Sequence, residues 1–184
     1  MSMTITEALA EIKTIAKRLE KKKQAVLANI GRDSRLKDPL DDSVAFVKQE
    51  RQAIEDLEKR IVTIRTAIQR SNLTTNCTVG DNSLTVQEWL NFRREVSTNR
   101  QMFLSSINQA VKNIRDKVNR EGGRVSFAAA AAIASTDSGE KKPIEILLHL
   151  DEKELLSEQE GLEKTLGDLD GKLSLLNATT VVEV

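Results

Sequence analysis

Apolar side chains recurring at alternating spacings of three and four residues constrain this chain most. Across residues 6–30, Leu9, Ile12, Ala16, Leu19, Val26 and Ile30 keep that spacing, with Lys23 the one polar member. The pattern gathers them on one stripe of a helix, the a/d seam of a coiled coil. Across residues 43–70, Val47, Ile54, Ile61 and Ile68 stand seven apart, with Leu57 and Ile64 at the intervening d positions. Glu50 interrupts one d position, so looser packing is expected near the link between the two helices. That link, residues 32–42, is polar and contains Pro39. Two helices of about 25 to 28 residues, each roughly 40 Å long at 1.5 Å per residue, joined by so short a segment make an antiparallel hairpin.

Local signals fix the ends. Thr4 and Glu7 have capping-box spacing, in which each side chain satisfies an orphan backbone N–H of the other residue. Gly31 is expected to end the first helix in the left-handed conformation open to glycine. Residues 71–76 and 80–83 read as turn chemistry rich in Ser, Asn, Thr and Gly. A third helix is expected from Thr85, where Glu88 repeats the capping-box spacing, through Leu90, Leu104, Ile107, Val111, Ile114 and Val118. Arg93, Ser97 and Arg100 fall on its seam, so its middle departs from a dry interface. Gly122 and Gly123 break it. Residues 127–133 are small and apolar and could form a short helix, 135–142 read as a polar loop, and 144–150 are ambiguous between helix and strand. A last helix is expected from Asp151, its N-cap, to Asn177, and residues 179–184 are β-prone, loose or added to a neighbouring edge. The organisation expected is a hairpin plus third helix (1–121), a Gly/Ala/Ser linker (122–142) and a C-terminal helical arm (143–184).

Composition supports helices and removes several functions. Aromatic residues make up 3% of the chain, with two Pro and eight Gly, while 30% is charged. Long helices have this composition; sandwiches and barrels seldom do. Twenty-eight basic residues balance 28 acidic ones, unlike the strongly basic footprint of a nucleic-acid binder, so no direct nucleic-acid site is expected. No apolar run approaches the roughly 18 residues of a spanning helix, and the first residues lack a secretory pattern. Cys77 stands alone, which excludes an internal disulfide and a cysteine-based zinc site. The expected location is cytoplasmic, or in a virion if the chain is phage-encoded.

Catalytic, cofactor and metal residues are expected to be none. His149 is the one histidine, with no G-x-S-x-G elbow beside it, and reads as a packed or interface imidazole. Cys77 lies in a polar stretch without a basic cluster to activate it. Asp33, Asp38, Asp41 and Asp42 do not follow a calcium-loop spacing, and neither glycine-rich phosphate motif is present. Lys17, Arg18 and Lys21, Lys22 and Lys23 read as a solvated face, with contact to an acidic partner the alternative. Arg93, Arg94 and Arg100 are of more interest: a buried Arg100 needs an acceptor, either an inter-subunit carboxylate or an anion. Trp89, Phe92, Met102 and Phe103 hold most of the large side chains, a core knot or an anchor for another chain. The interface candidates are therefore Trp89, Phe92, Arg93, Arg100 and Phe103, with Leu155, Leu162, Leu166, Leu169 and Leu173 of the last helix.

The segment Thr6-Glu7-Ala8-Leu9-Ala10, the heptad from Ile61 to Ile68 running into Ser71-Asn72-Leu73-Thr74-Thr75-Asn76, and residues 80–84 opening a helix at Thr85 resemble the septicolysin-like family of small helical proteins. The resemblance covers about residues 4–115. It implies a long hairpin, an Asn/Thr-rich turn and a third helix, and brings no catalytic residue.

The reading is an all-α, elongated antiparallel bundle with a C-terminal arm. Thin seams call for a partner, and a second copy supplies one most simply. The function expected is that of a non-enzymatic homo-oligomeric assembly protein, a bacteriophage virion component or bacterial scaffold, in contact with other structural proteins. The alternatives are a ligand-sequestering inhibitor using Arg93, Arg94 or Arg100, and a membrane-active toxin using residues 128–132 and 144–150.

Overall fold

The computed structural model describes residues 1–127 and 145–184. Helix accounts for 71% of them, accompanied by two-stranded sheets. In chain order the elements are β1 (Ser2–Thr4), α1 (Ile5–Ala28), α2 (Ser43–Thr74), β2 (Asn76–Val79), β3 (Asn82–Thr85), α3 (Val86–Asn91), a π-helical segment (Phe92–Ser97) and α4 (Thr98–Arg120). They continue with β4 (Arg124–Phe127), β5 (Glu145–Leu148), α5 (Glu152–Thr179) and β6 (Val181–Glu183). The short apolar helix, the polar loop and most of the linker expected between residues 127 and 142 lie outside the described residues, as do residues 128–132 and Ile144 of the toxin reading.

The chain divides into two units, one comprising residues 1–78, 83–87 and 171–184, the other residues 79–82 and 88–170. In the first, α1 and α2 form the expected antiparallel hairpin. Ion pairs Glu11–Arg60 at 2.8 Å and Lys22–Glu50 at 2.9 Å set its register. The α2 stripe is the one read from sequence: Ile54, Leu57, Ile61, Ile64 and Ile68 all belong to one apolar cluster. The α1 stripe is not. It runs through Ile5, Ala8, Ile12, Ile15 and Leu19, while Leu9 and Ala16 face solvent. Residues 5, 8, 12, 15, 19, 22 and 26 keep the same three-four spacing, so periodicity alone permits either stripe. Ala8 decides between them: with no side chain beyond Cβ, it lets the backbones approach until Ala8 and Ile64 are both wholly buried. The shift also brings Lys22, rather than Lys23, opposite Glu50, so the two polar seam members meet as a pair.

The ends of α1 follow two different rules. Thr4 and Glu7 form the capping box, the Thr4 hydroxyl accepting from the Glu7 N–H and the Glu7 carboxylate accepting from the Thr4 N–H at 2.8 Å. At the other end the helix stops at Ala28 on Asn29, whose side-chain amide donates to the Ala25 carbonyl. Gly31 takes no left-handed conformation, correcting the stop expected there.

Residues expected as turns contribute structure. α2 continues to Thr74, and β2 and β3 form a hairpin whose two-residue turn begins at Gly80 with φ 55°. β6 pairs antiparallel with β1, Met3 opposite Val182, and Val182 joins the α1–α2 core. The β-prone tail therefore adds to an edge of its own chain.

In the second unit, the third helix forms with a π-helical interruption. α4 ends at Arg120, and Gly122 (φ 68°) with Gly123 closes it: the Gly123 N–H donates to the Val118 carbonyl at 3.0 Å. This is the glycine-dependent stop expected there. β4 and β5 pair in parallel, which resolves residues 145–148 as strand. Leu104, Leu155 and Leu162 centre a cluster that Phe92, Ile107, Leu150 and Leu166 complete, holding α5 against α4.

Replacing Ile64 with Ala is expected to cost about 2 to 5 kcal/mol, and Ala8→Leu about 1 to 3 kcal/mol through overpacking. Leu9→Ala, on the stripe that the structure leaves exposed, should cost under about 1 kcal/mol. Urea unfolding followed by circular dichroism compares the three.

Candidate functional site

A cleft of about 550 Å³ lies at the connector end of the α1–α2 hairpin, within the first unit. Its walls are the start of α2 and the segment that follows α1. The heptad pattern of the sequence carries the first seam as far as Ile30, but α1 stops at Ala28 and leaves Ile30 73% exposed. α2 meanwhile begins at Ser43. Its first turns present Val44 and Val47 to the cleft, and Val44 is 81% exposed.

The connector is shaped by carboxylates, each engaged in holding backbone or a cation. Asp38 accepts from the Ser43 hydroxyl, from the Ser43 N–H at 2.9 Å and from the Leu40 N–H at 3.0 Å, and faces Arg32 at 3.8 Å. The Ser43 hydroxyl and these backbone N–H groups hold its carboxyl at about 2, below the ordinary 3.8. Asp42 caps α2 by accepting from the Ala45 N–H, Asp33 clasps Arg35 at 2.6 Å, and Asp41 lies 3.7 Å from Lys37. Asp41 also takes φ 60°, a conformation Asp tolerates better than most residues. Among the described residues no group of three or more His, Cys, Asp or Glu is arranged to hold a metal ion.

The cations lining the cleft are Arg32, Lys48 and Arg51. Arg32 is occupied by Asp38 and by the Leu36 carbonyl at 2.7 Å. Lys48 and Arg51 stand in no ion pair among the described residues. Glu55, one turn beyond Arg51, is the opposing carboxylate. None of these residues was singled out from the sequence as a site. The available signal was Lys48 and Arg51 spaced three apart beside Val44 and Val47.

The residues that were singled out are distributed differently. Trp89 is buried and meets Phe92 edge-on, with ring centroids 5.5 Å apart. Leu155, Leu162, Leu169 and Leu173 are buried, and Leu166 packs against the α4–α5 cluster. These residues form core in the single chain. Arg100, expected to be buried, is 50% exposed and pairs with Glu158 of its own chain at 2.9 Å. Arg93 pairs with Asp170 at 2.8 Å, and Arg94 with its neighbour Glu95. The π-helical segment explains the change. Its wider turn breaks the simple heptad, and of the three residues expected on the seam Ser97 is the buried one, its hydroxyl donating to the Arg93 carbonyl at 2.6 Å. Phe103 and Met102 are exposed. His149 is exposed in the bend after β5, and Cys77 is buried in β2 rather than lying in a turn. Of the basic run on α1, Lys22 and Lys23 pair with Glu50 and Glu58 of α2.

No protein-family model matches the chain, and no curated protein matches it. Among solved structures it is similar to the crystal structure of a functionally unknown conserved protein from Corynebacterium diphtheriae, with 18% sequence identity over the whole of both chains and a TM-score of 0.57. A likeness at that identity concerns the fold alone. No helix among the described residues is long and apolar enough to cross a membrane.

Because the folded state lowers the Asp38 value, the stabilisation it provides is present above about pH 4 and is lost as the pH falls through about 2. Amide exchange at Ser43 and Leu40 should accelerate over that interval. Asp38→Asn should produce the faster exchange already at pH 6, as read by NMR.

Proposed function

We propose that this chain is a non-enzymatic assembly protein that associates with further copies of itself through the exposed face of α4. The carrying observation is Phe103, 64% exposed in a chain with four Phe and one Trp. Met102, its neighbour on α4, is exposed as well. Burying such side chains contributes roughly 1.5 to 3 kcal/mol each. The half-exposed pairs Arg93–Asp170 and Arg100–Glu158 supply a polar rim of the kind that surrounds an interface core. Equal numbers of basic and acidic residues mean that copies approach without net repulsion.

This reading keeps Phe103, Arg93 and Arg100 from the sequence as interface residues and moves Trp89 and the buried leucines of α5 to the core. The setting, a bacteriophage virion or a bacterial scaffold with other structural proteins, rests on analogy of size and helical architecture. Kinship with septicolysin-like proteins belongs to the same proposal.

Light scattering after size exclusion should give a mass at least twice the 20.5 kDa of one chain, and Phe103→Glu should return it to the single-chain value with unchanged helicity. A single-chain mass for the unaltered protein at every concentration would overturn the proposal.

A further inference from the structure

We infer that the cleft at the connector end of the hairpin binds a free, single-chain anionic amphiphile, a fatty carboxylate being the simplest member of the class. This goes beyond the assembly reading and uses none of its residues. The cleft volume of about 550 Å³ lies within the range of small-ligand sites. One part of its lining is apolar: Ile30, Pro39, Val44 and Val47, with Ile30 and Val44 largely exposed. Another part is cationic: Lys48 and Arg51 line the same cleft and stand in no ion pair among the described residues.

The charge balance selects the headgroup. Five charged residues line the cleft: Arg32, Lys48, Arg51, Asp38 and Glu55. Asp38 and Arg32 face each other, and Asp38 is further occupied by Ser43 and Leu40, so this pair contributes little net field. Lys48 and Arg51 then outweigh Glu55 by one positive charge. A single carboxylate completes that balance, and guanidinium and ammonium groups form their strongest hydrogen bonds with such anions. A neutral apolar molecule would leave the two cations unpaired. A dianion would exceed the available charge beside Glu55.

Isothermal titration with decanoate, kept well below its micelle threshold, tests the inference on the full chain. The expected result is saturable binding at one site per chain. The double substitution Lys48→Gln with Arg51→Gln should weaken it about tenfold or more, and Glu55→Gln should tighten it about threefold. All three positions are exposed, and circular dichroism checks that each variant folds. Absence of saturable binding would overturn the inference. So would binding that the double variant leaves unchanged, or equal affinity for the neutral alcohol of the same chain length. Co-sedimentation with phosphatidylglycerol vesicles that the same double variant abolishes would also overturn it, by assigning the cations to a bilayer surface.

Discussion

The packing of α1 on α2 around Ala8 and Ile64 is the constraint on which the first unit depends. Both residues are wholly buried, and the cluster around them draws Val182 and Val184 from the end of the chain and Met3 from its start. Closest approach at this point fixes the rotation of α1, and that rotation selects which of two equally periodic stripes becomes core. The same rotation brings Lys22 opposite Glu50, so a polar layer that would weaken a dry seam becomes a specific pairing. An ion pair in this position favours one register over its neighbours more than it adds stability.

From that point the hairpin changes character along its length. Near the chain termini it is closed by apolar packing and by the β1–β6 ladder; towards the connector its contacts become ionic and then end. α1 ends at Ala28, level with the start of α2 at Ser43, and the connector between them is held by Asp38 and Asp42 through backbone hydrogen bonds rather than by burial. No side chain of α1 beyond Leu19 or of α2 before Ile64 is fully buried, and binding elements commonly lie in such loosely packed parts of a fold.

Much of the helical framework was legible in the sequence because it is written in short-range signals. Val47 and three isoleucines seven apart specify the α2 stripe, the Thr4–Glu7 box specifies the start of α1, and Gly122 and Gly123 specify the end of α4. What escaped reading depends on contacts distant in the chain. Leu9 looks a better core residue than Ala8, and only the proximity of a second helix reverses that order. The strands β1 and β6 need each other, 177 positions apart at Thr4 and Val181 and more at the other pairs, and neither is long enough to announce itself. Arg100 fell on a seam position in a regular heptad, but a π-helical turn precedes it and turns it to the surface. The cleft was illegible for a related reason: a repeat that continues to Ile30 gives no sign that the helix carrying it stops at Ala28.

Residue-resolved hydrogen exchange of the full chain tests most directly the claim that the hairpin is tightly closed at one end and open at the other. The account predicts the slowest exchange in α1 and α2 around Ala8 and Ile64, with protection falling steadily towards Ala28 and Val47. Uniform protection along both helices, or slowest exchange beside the connector, would contradict it.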